Sequence, residues 1–176
     1  MADMIAFAPM LAIDGNAPNI DAPSSLGPFR LSEHGGRLCT VVYFFPMAFT
    51  PGCTRETERF RDDYNELRLA GAALVGISTD DHETQCKFAG SLRTTFPMIG
   101  DVDGAIAAAF DVRWPLVGLA QRVTYVLSPT RVVLGAFHHE LSIEKHRIDV
   151  LTFVDALFQE RRAARLSTPP ASPPAT

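Results

Sequence analysis

Cys53 stands directly after Pro51-Gly52, at the point where the apolar run Thr40-Val41-Val42-Tyr43-Phe44-Phe45 gives way to a helical pattern. Pro is suited to a first helical position because the N–H it lacks has no partner there. Cys53 is therefore expected in the opening turn of a helix, where unpaired N–H groups and the positive dipole end favour an anion. A thiol held there carries more of its reactive thiolate, the form that acts as a nucleophile. Cys53, Phe60, Tyr64 and Leu67 fall on one helical face, so the thiol points inward, toward the sheet. The plainer alternative is a small buried hydrophobe, the common fate of a free cysteine. The strand, Pro-Gly turn and helix make that reading the weaker one, because this edge of an open α/β sheet is where ligands bind.

Two further cysteines are present. Cys39 begins the buried strand and reads as a packed core residue. Cys86 falls on the polar side of a later helix, together with His82 one turn before it, and is expected to be at least partly exposed. His138-His139-Glu140 and His146 could suggest a metal site, but adjacent histidines in a strand point to opposite faces. A solvated hairpin edge is the expected role, with no metal and no cofactor. Trp114-Pro115 reads as a loop near the substrate mouth or a neighbouring subunit, with no basis for choosing between them.

Alternating elements must position these side chains. After the first strand, Pro51 to Leu69 has apolar residues at helical spacing, and Ala72 to Ser78 is a second buried strand. Asp80 or Asp81 then caps a helix to about Arg93, with Glu83 placed as the acid of a capping box. A short apolar piece at Pro97-Met98-Ile99 and a helix around Ala105–Phe110 follow. Arg122 to Leu127 and Val132 to Phe137 flank Ser128-Pro129-Thr130-Arg131 and predict an antiparallel hairpin. A closing helix with Ile148, Leu151, Val154 and Phe158 on one stripe ends near Arg165. The pattern is α/β: a mixed central β-sheet flanked by helices, as in a thioredoxin-like fold. The domain is expected over 13–165, with a flexible stretch at 1–12 and a disordered proline-rich tail at 166–176.

The chain has 176 residues, sixteen Lys and Arg against twenty Asp and Glu, and no dense basic run. That excludes a nucleic-acid surface and a polybasic membrane anchor. No apolar stretch approaches the length of a membrane span. Three cysteines, unpaired as C-x-x-C, fit a reducing compartment, and the cytoplasm is the default expectation.

Pro46-x-x-x-Thr50-x-x-Cys53 resembles the active-site signature of the peroxiredoxins, the alkyl hydroperoxide reductase C and thiol-specific antioxidant family. The wider string VVYFFPMAFTPGCTRE is similar to its bacterioferritin comigratory protein branch. Gly15-Asn16-Ala17-Pro18 and Arg122-Val123-Thr124-Tyr125-Val126-Leu127 resemble two further family motifs, so the likeness runs from about residue 13 to 160. The resemblance implies a thiol-dependent peroxidase acting on hydrogen peroxide and organic hydroperoxides. In it Cys53 is the peroxidatic cysteine, Arg122 brings a fixed positive charge to thiolate and peroxide, and Thr50 hydrogen-bonds both. Pro46 walls the pocket, and Glu56 orients Arg122. Without the family motif, Arg122 would read as a strand-end surface charge, Thr50 as a helix cap and Glu56 as a partner of the helix dipole.

Many members of that branch carry a resolving cysteine five residues after the first; here that position is Glu58, and the C-terminal region has no cysteine. Some members place it on the helix that holds Cys86, which implies a Cys53–Cys86 intramolecular disulfide recycled by thioredoxin or a similar dithiol protein. A one-cysteine peroxidase using an external thiol and a thioredoxin-like thiol–disulfide oxidoreductase are the alternatives. The last would want C-x-x-C, of which only the second sulfur is present. A non-catalytic binding module on the same fold would not need Thr50, Cys53 and Arg122 together. Monomer and homodimer both remain open.

Overall fold

The run Cys39–Phe44 is apolar or β-branched at every position, and it forms a strand buried along its whole length. In the computed structural model, which describes residues 10–167, this strand (β3) is the middle of a five-stranded sheet. Its side chains alternate between two cores. Val41, Tyr43 and Phe45 enter one, whereas Val42 and Phe44 enter the other.

The first elements of the described residues are a short antiparallel hairpin, β1 (Asp21–Ser24) and β2 (Gly27–Arg30), followed by the one-turn helix α1 (Leu31–His34). After β3 come α2 (Pro51–Ala70), β4 (Ala72–Ser78), α3 (His82–Leu92), β5 (Met98–Gly100) and α4 (Ala105–Ala109). The last elements are β6 (Val123–Leu127), β7 (Val133–His138) and α5 (Ile143–Ser167). The sheet order is β5-β4-β3-β6-β7; β4 runs parallel to β3 and β5, while β6 is antiparallel to both β3 and β7. The mixed sheet is the α/β thioredoxin-like arrangement expected. Helices α2, α3 and α5 cover one face, through Phe60, Phe88 and Val154 among others. The N-terminal hairpin and α4 cover the other, through Ile20, Phe29 and Ala107.

Two glycines shape this frame. Gly71 ends α2 at φ 92°, a left-handed conformation that a side chain would strain, and its N–H caps the helix on the Arg68 carbonyl. Gly76 lies in β4 where a Cβ would sit 2.6 Å from the Tyr43 ring, so only glycine lets that ring pack across the strand.

Several expectations need correction. Asp81 caps α3 by accepting from the Thr84 N–H, which leaves Glu83 one position short of a capping box; it pairs with Lys87 instead. The buried stripe of α5 is His146, Val150 and Val154, whereas Ile148 is half exposed. Leu11 belongs to the supposed flexible stretch, yet its N–H donates to the Tyr125 hydroxyl and its side chain packs on the second core. Leu166 and Ser167, assigned to the tail, complete α5. The remainder of those two segments, 1–9 and 168–176, lies outside the described residues. Among the described residues no helix is long and apolar enough to cross a membrane.

Candidate active site

Beyond β3 the Phe45 N–H still donates to Ile77 of β4, and the chain then leaves the sheet at Pro46. The end of β4 anchors this loop. Asp80 accepts from the Ala48 N–H at 2.7 Å and from the Ser78 hydroxyl at 2.6 Å, and the Thr79 hydroxyl donates to the Pro46 carbonyl. Phe49 turns the loop at φ 63°, a costly conformation for a non-glycine residue, and its ring meets Phe88 of α3 edge-on. Thr50 occupies the cap position of α2 without a side-chain cap bond; its hydroxyl donates to the Met47 carbonyl at 3.0 Å. Pro51 opens the helix, and Cys53 lies in its first turn, only 2% exposed.

Arg122 approaches from the start of β6. One guanidinium nitrogen, Nη2, lies 3.5 Å from Cys53 Sγ, and the other, Nη1, donates to Glu56 Oε2 one turn further along α2. The rest of the residue is held by Glu140, which accepts from the Arg122 N–H through Oε1 at 3.0 Å and from Nε through its own carbonyl. Glu140 is steadied in turn by His138 at 2.9 Å. Burial opposes the charge on Arg122, but Glu56 and Cys53 beside it outweigh that, and its pKa is raised further. The guanidinium is thus a permanent cation whose direction is fixed from three sides.

Glu56 is 2% exposed, and burial pushes its carboxyl up to about 7 against the pull of Arg122. Its second oxygen, Oε1, has no hydrogen-bond partner and faces His146 Nε2 at 3.8 Å. His146 is fully buried on α5, shares a 2.7 Å hydrogen bond with the Thr124 hydroxyl, and is held neutral by burial and nearby cations, its pKa down to about 3.

The structure therefore brings Cys53, Arg122 and Glu56 together. Pro46 and Thr50 sit on the loop that leads to the thiol. Cys86 is elsewhere: on α3, half-buried, its sulfur 3.5 Å from His82 Nε2. Cys39 is wholly buried, and desolvation raises its pKa to about 12. The histidines do not form the solvated hairpin edge expected of them. His138 and His139 are half-buried and paired with Glu140 and Asp149, and His146 lies behind the site. Glu140, Thr124 and His146 were not anticipated as parts of the site. The one available signal was Glu140 lying just beyond the strand that pairs with β6. Among the described residues no three His, Cys, Asp or Glu side chains converge for a metal ion.

Residues 13–135 match the model of the AhpC/TSA family, well over half of the chain. The chain belongs to the AhpC/TSA family. Its relatives within that family are peroxiredoxins. A chloroplastic peroxiredoxin Q from Sedum lineare is 34% identical over 140 residues, covering 74% of this chain and 75% of its own. The crystal structure of peroxidoxin BcpB from Mycobacterium tuberculosis is 36% identical and superposes with a TM-score of 0.76, covering 83% of this chain and 97% of that one. Xanthomonas campestris peroxiredoxin Q is 31% identical with a TM-score of 0.70, over 78% of this chain and 90% of its own. This AhpC/TSA chain is accordingly a thiol-dependent peroxidase of the peroxiredoxin Q type, acting on hydroperoxides.

Proposed function

We propose that Cys53 is the peroxidatic cysteine and that Arg122 is the group that activates it. The observation that carries this reading is a nearly buried thiol at a helix N-terminus with a guanidinium nitrogen 3.5 Å from its sulfur. The Cys53 thiolate attacks one peroxide oxygen, the O–O bond breaks, and sulfur is oxidised to sulfenic acid. The other oxygen leaves as alkoxide or hydroxide and takes up a proton to become alcohol or water. Arg122 faces both sulfur and the charge that builds on the departing oxygen. Thr50, once its hydroxyl turns from the Met47 carbonyl, hydrogen-bonds the peroxide, and Pro46 limits water on the loop side. Glu56 acts through Arg122 by holding its second nitrogen.

Resolution falls to Cys86. Its thiol attacks the sulfenic sulfur, water leaves, and a 53–86 disulfide forms, which thioredoxin or a similar dithiol protein reduces. Cys86 is half-buried, so a reductant can reach it, and its helix packs on the active-site loop through Phe88 against Phe45 and Phe49. A buried thiol on one helix and a partly exposed thiol on another must still rearrange to meet the geometry of a disulfide, whose Cα atoms lie within roughly 7 Å. Local unwinding at the start of α2 or within α3 supplies that movement. The cytoplasm is the compartment that suits such a thiol cycle.

Peroxide-dependent NADPH oxidation coupled through thioredoxin reductase and thioredoxin tests the scheme. Turnover is expected to vanish in Cys53→Ser. Cys86→Ser is expected to consume one equivalent of peroxide quickly, leaving sulfenic acid on Cys53, and then only a slow second equivalent that carries it to sulfinic acid, with no sustained turnover. Normal turnover of both Cys86→Ser and Cys39→Ser would instead establish a one-cysteine cycle with an external thiol, and normal turnover of Cys86→Ser with loss in Cys39→Ser would move resolution to Cys39.

A further inference from the structure

The end of the sheet remote from Cys53 holds a cavity of about 420 Å³, within the range of small-molecule sites. Its walls are the entry to β3 at Arg37 and Leu38, the end of α2 at Leu69 to Gly71, and the last turns of α5. The first two walls are tied together by the Leu38 N–H, which donates to the Gly71 carbonyl at 2.8 Å. The third is tied to the first by Arg161, whose guanidinium donates to the Arg37 carbonyl. The cavity is thus framed by backbone rather than by loop tips.

Its chemistry is two-sided. Leu38, Leu69, Ala70 and Phe158 give it an apolar floor, and Arg37, Arg161, Arg162 and Arg165 line it as well. Arg30, Arg59, Arg61, Arg122 and Arg147 all reach carboxylates elsewhere in the chain. Among the described residues, none of the four cavity arginines has a carboxylate within ion-pair distance. One cation near the end of α5 would answer the helix dipole. Three of the four lie within its last two turns, in a chain whose formal charge is −4.

We propose that this cavity binds an amphiphilic organic anion of the fatty-carboxylate type. The carboxylate would be held by guanidinium forks, which match its planar geometry, and the acyl chain would lie on Leu38, Leu69 and Phe158. A small inorganic anion would leave the apolar floor wet, and a neutral lipid would leave the arginines unanswered.

Decanoate, acetate and inorganic phosphate, titrated separately into the full-length reduced protein and followed by amide NMR and calorimetry, test the proposal. Decanoate is expected to bind one to one, shift the amides of Leu38, Leu69 and Gly71, and bind at least about tenfold more tightly than acetate or phosphate. Arg162→Glu/Arg165→Glu should weaken decanoate at least about tenfold, and Arg162→Gln/Arg165→Gln should weaken it less while leaving α5 less perturbed. Both double variants should keep full peroxide turnover, because neither residue touches the Cys53 site. Phosphate or acetate binding as tightly as decanoate would overturn the proposal. So would shifts confined to the Cys53 end, or decanoate binding indifferent to both double variants. None of these outcomes would bear on the peroxidase reading.

Discussion

Cys39 and Cys53 are two cysteines of one core, 0% and 2% exposed, yet their surroundings prepare them for opposite behaviour. Cys39 opens β3 among apolar side chains, and desolvation alone moves it, up to about 12. Cys53 is as dry, but it sits in the first turn of a twenty-residue helix with the Arg122 guanidinium at its sulfur. Burial alone makes a thiol inert, whereas the proposed role of Cys53 draws on burial of a different kind, beside a fixed cation and a helix N-terminus. The lesson extends to the carboxylates. Asp101 is also nearly buried, but it accepts the Ile106 and Ala107 N–H groups at the start of α4, while the buried Glu56 carboxyl accepts from Arg122.

The contrast can be attacked directly. The largest effect is expected from Cys53→Ser, which should reduce peroxide turnover to the uncatalysed rate in the coupled assay, while Cys39→Ser leaves it intact. Next is Arg122→Met, which removes the cation while keeping the apolar stem. The bimolecular rate with peroxide in stopped flow should fall about 100- to 1000-fold, the usual cost of one preorganised charge-stabilising donor. A smaller loss is expected for Glu56→Gln, because Glu140 still holds Arg122 from the other side.

Two buried groups behind the site should give stability slopes of opposite sign. His146 has its pKa lowered from 6.5 to about 3, so the unfolded chain takes up a proton that the native state refuses. Its contribution is present above pH 6.5 and is lost as pH falls toward 3, on the order of 5 kcal/mol over the whole window. Glu56, raised from 4.5 to about 7, does the reverse: its contribution is full below pH 4.5 and is lost as pH rises through 7. The two slopes oppose each other between pH 4.5 and 6.5, so in urea unfolding the change of stability with rising pH over that range should become more negative in His146→Gln and more positive in Glu56→Gln than in the unsubstituted protein. The smallest effect belongs to Cys39→Ser. It should cost about 1–3 kcal/mol for an unsatisfied buried hydroxyl, read as a lower urea midpoint with unchanged turnover.

Much of this was legible in the sequence, for reasons that can be named. Pro51-Gly52-Cys53 after a continuous apolar run marks a strand, a turn and a helix start through local chemistry alone. Arg122 carried no such local signal, and only the family motif singled it out. His146 was obscured because hydrophobic periodicity counts apolar residues, and the α5 stripe contains a buried histidine that is hydrogen-bonded to Thr124 through Nε2 alone. Apolar periodicity therefore points to Ile148, which is half exposed, as the start of the buried face. Glu140 escaped notice because its partner, the Arg122 N–H, lies eighteen residues earlier and is brought to it only by the β6–β7 pairing.

The most direct measurement is trapping of the oxidised sulfur. Cys86→Ser protein, given one equivalent of hydrogen peroxide in the presence of dimedone, should carry the adduct on the Cys53 peptide by mass spectrometry. Cys39 should stay unlabelled, and Arg122→Met in the same background should slow the labelling about as much as it slows turnover. An adduct on Cys39 with Cys53 unmodified, or labelling of Cys53 at the same rate without Arg122, would contradict the account.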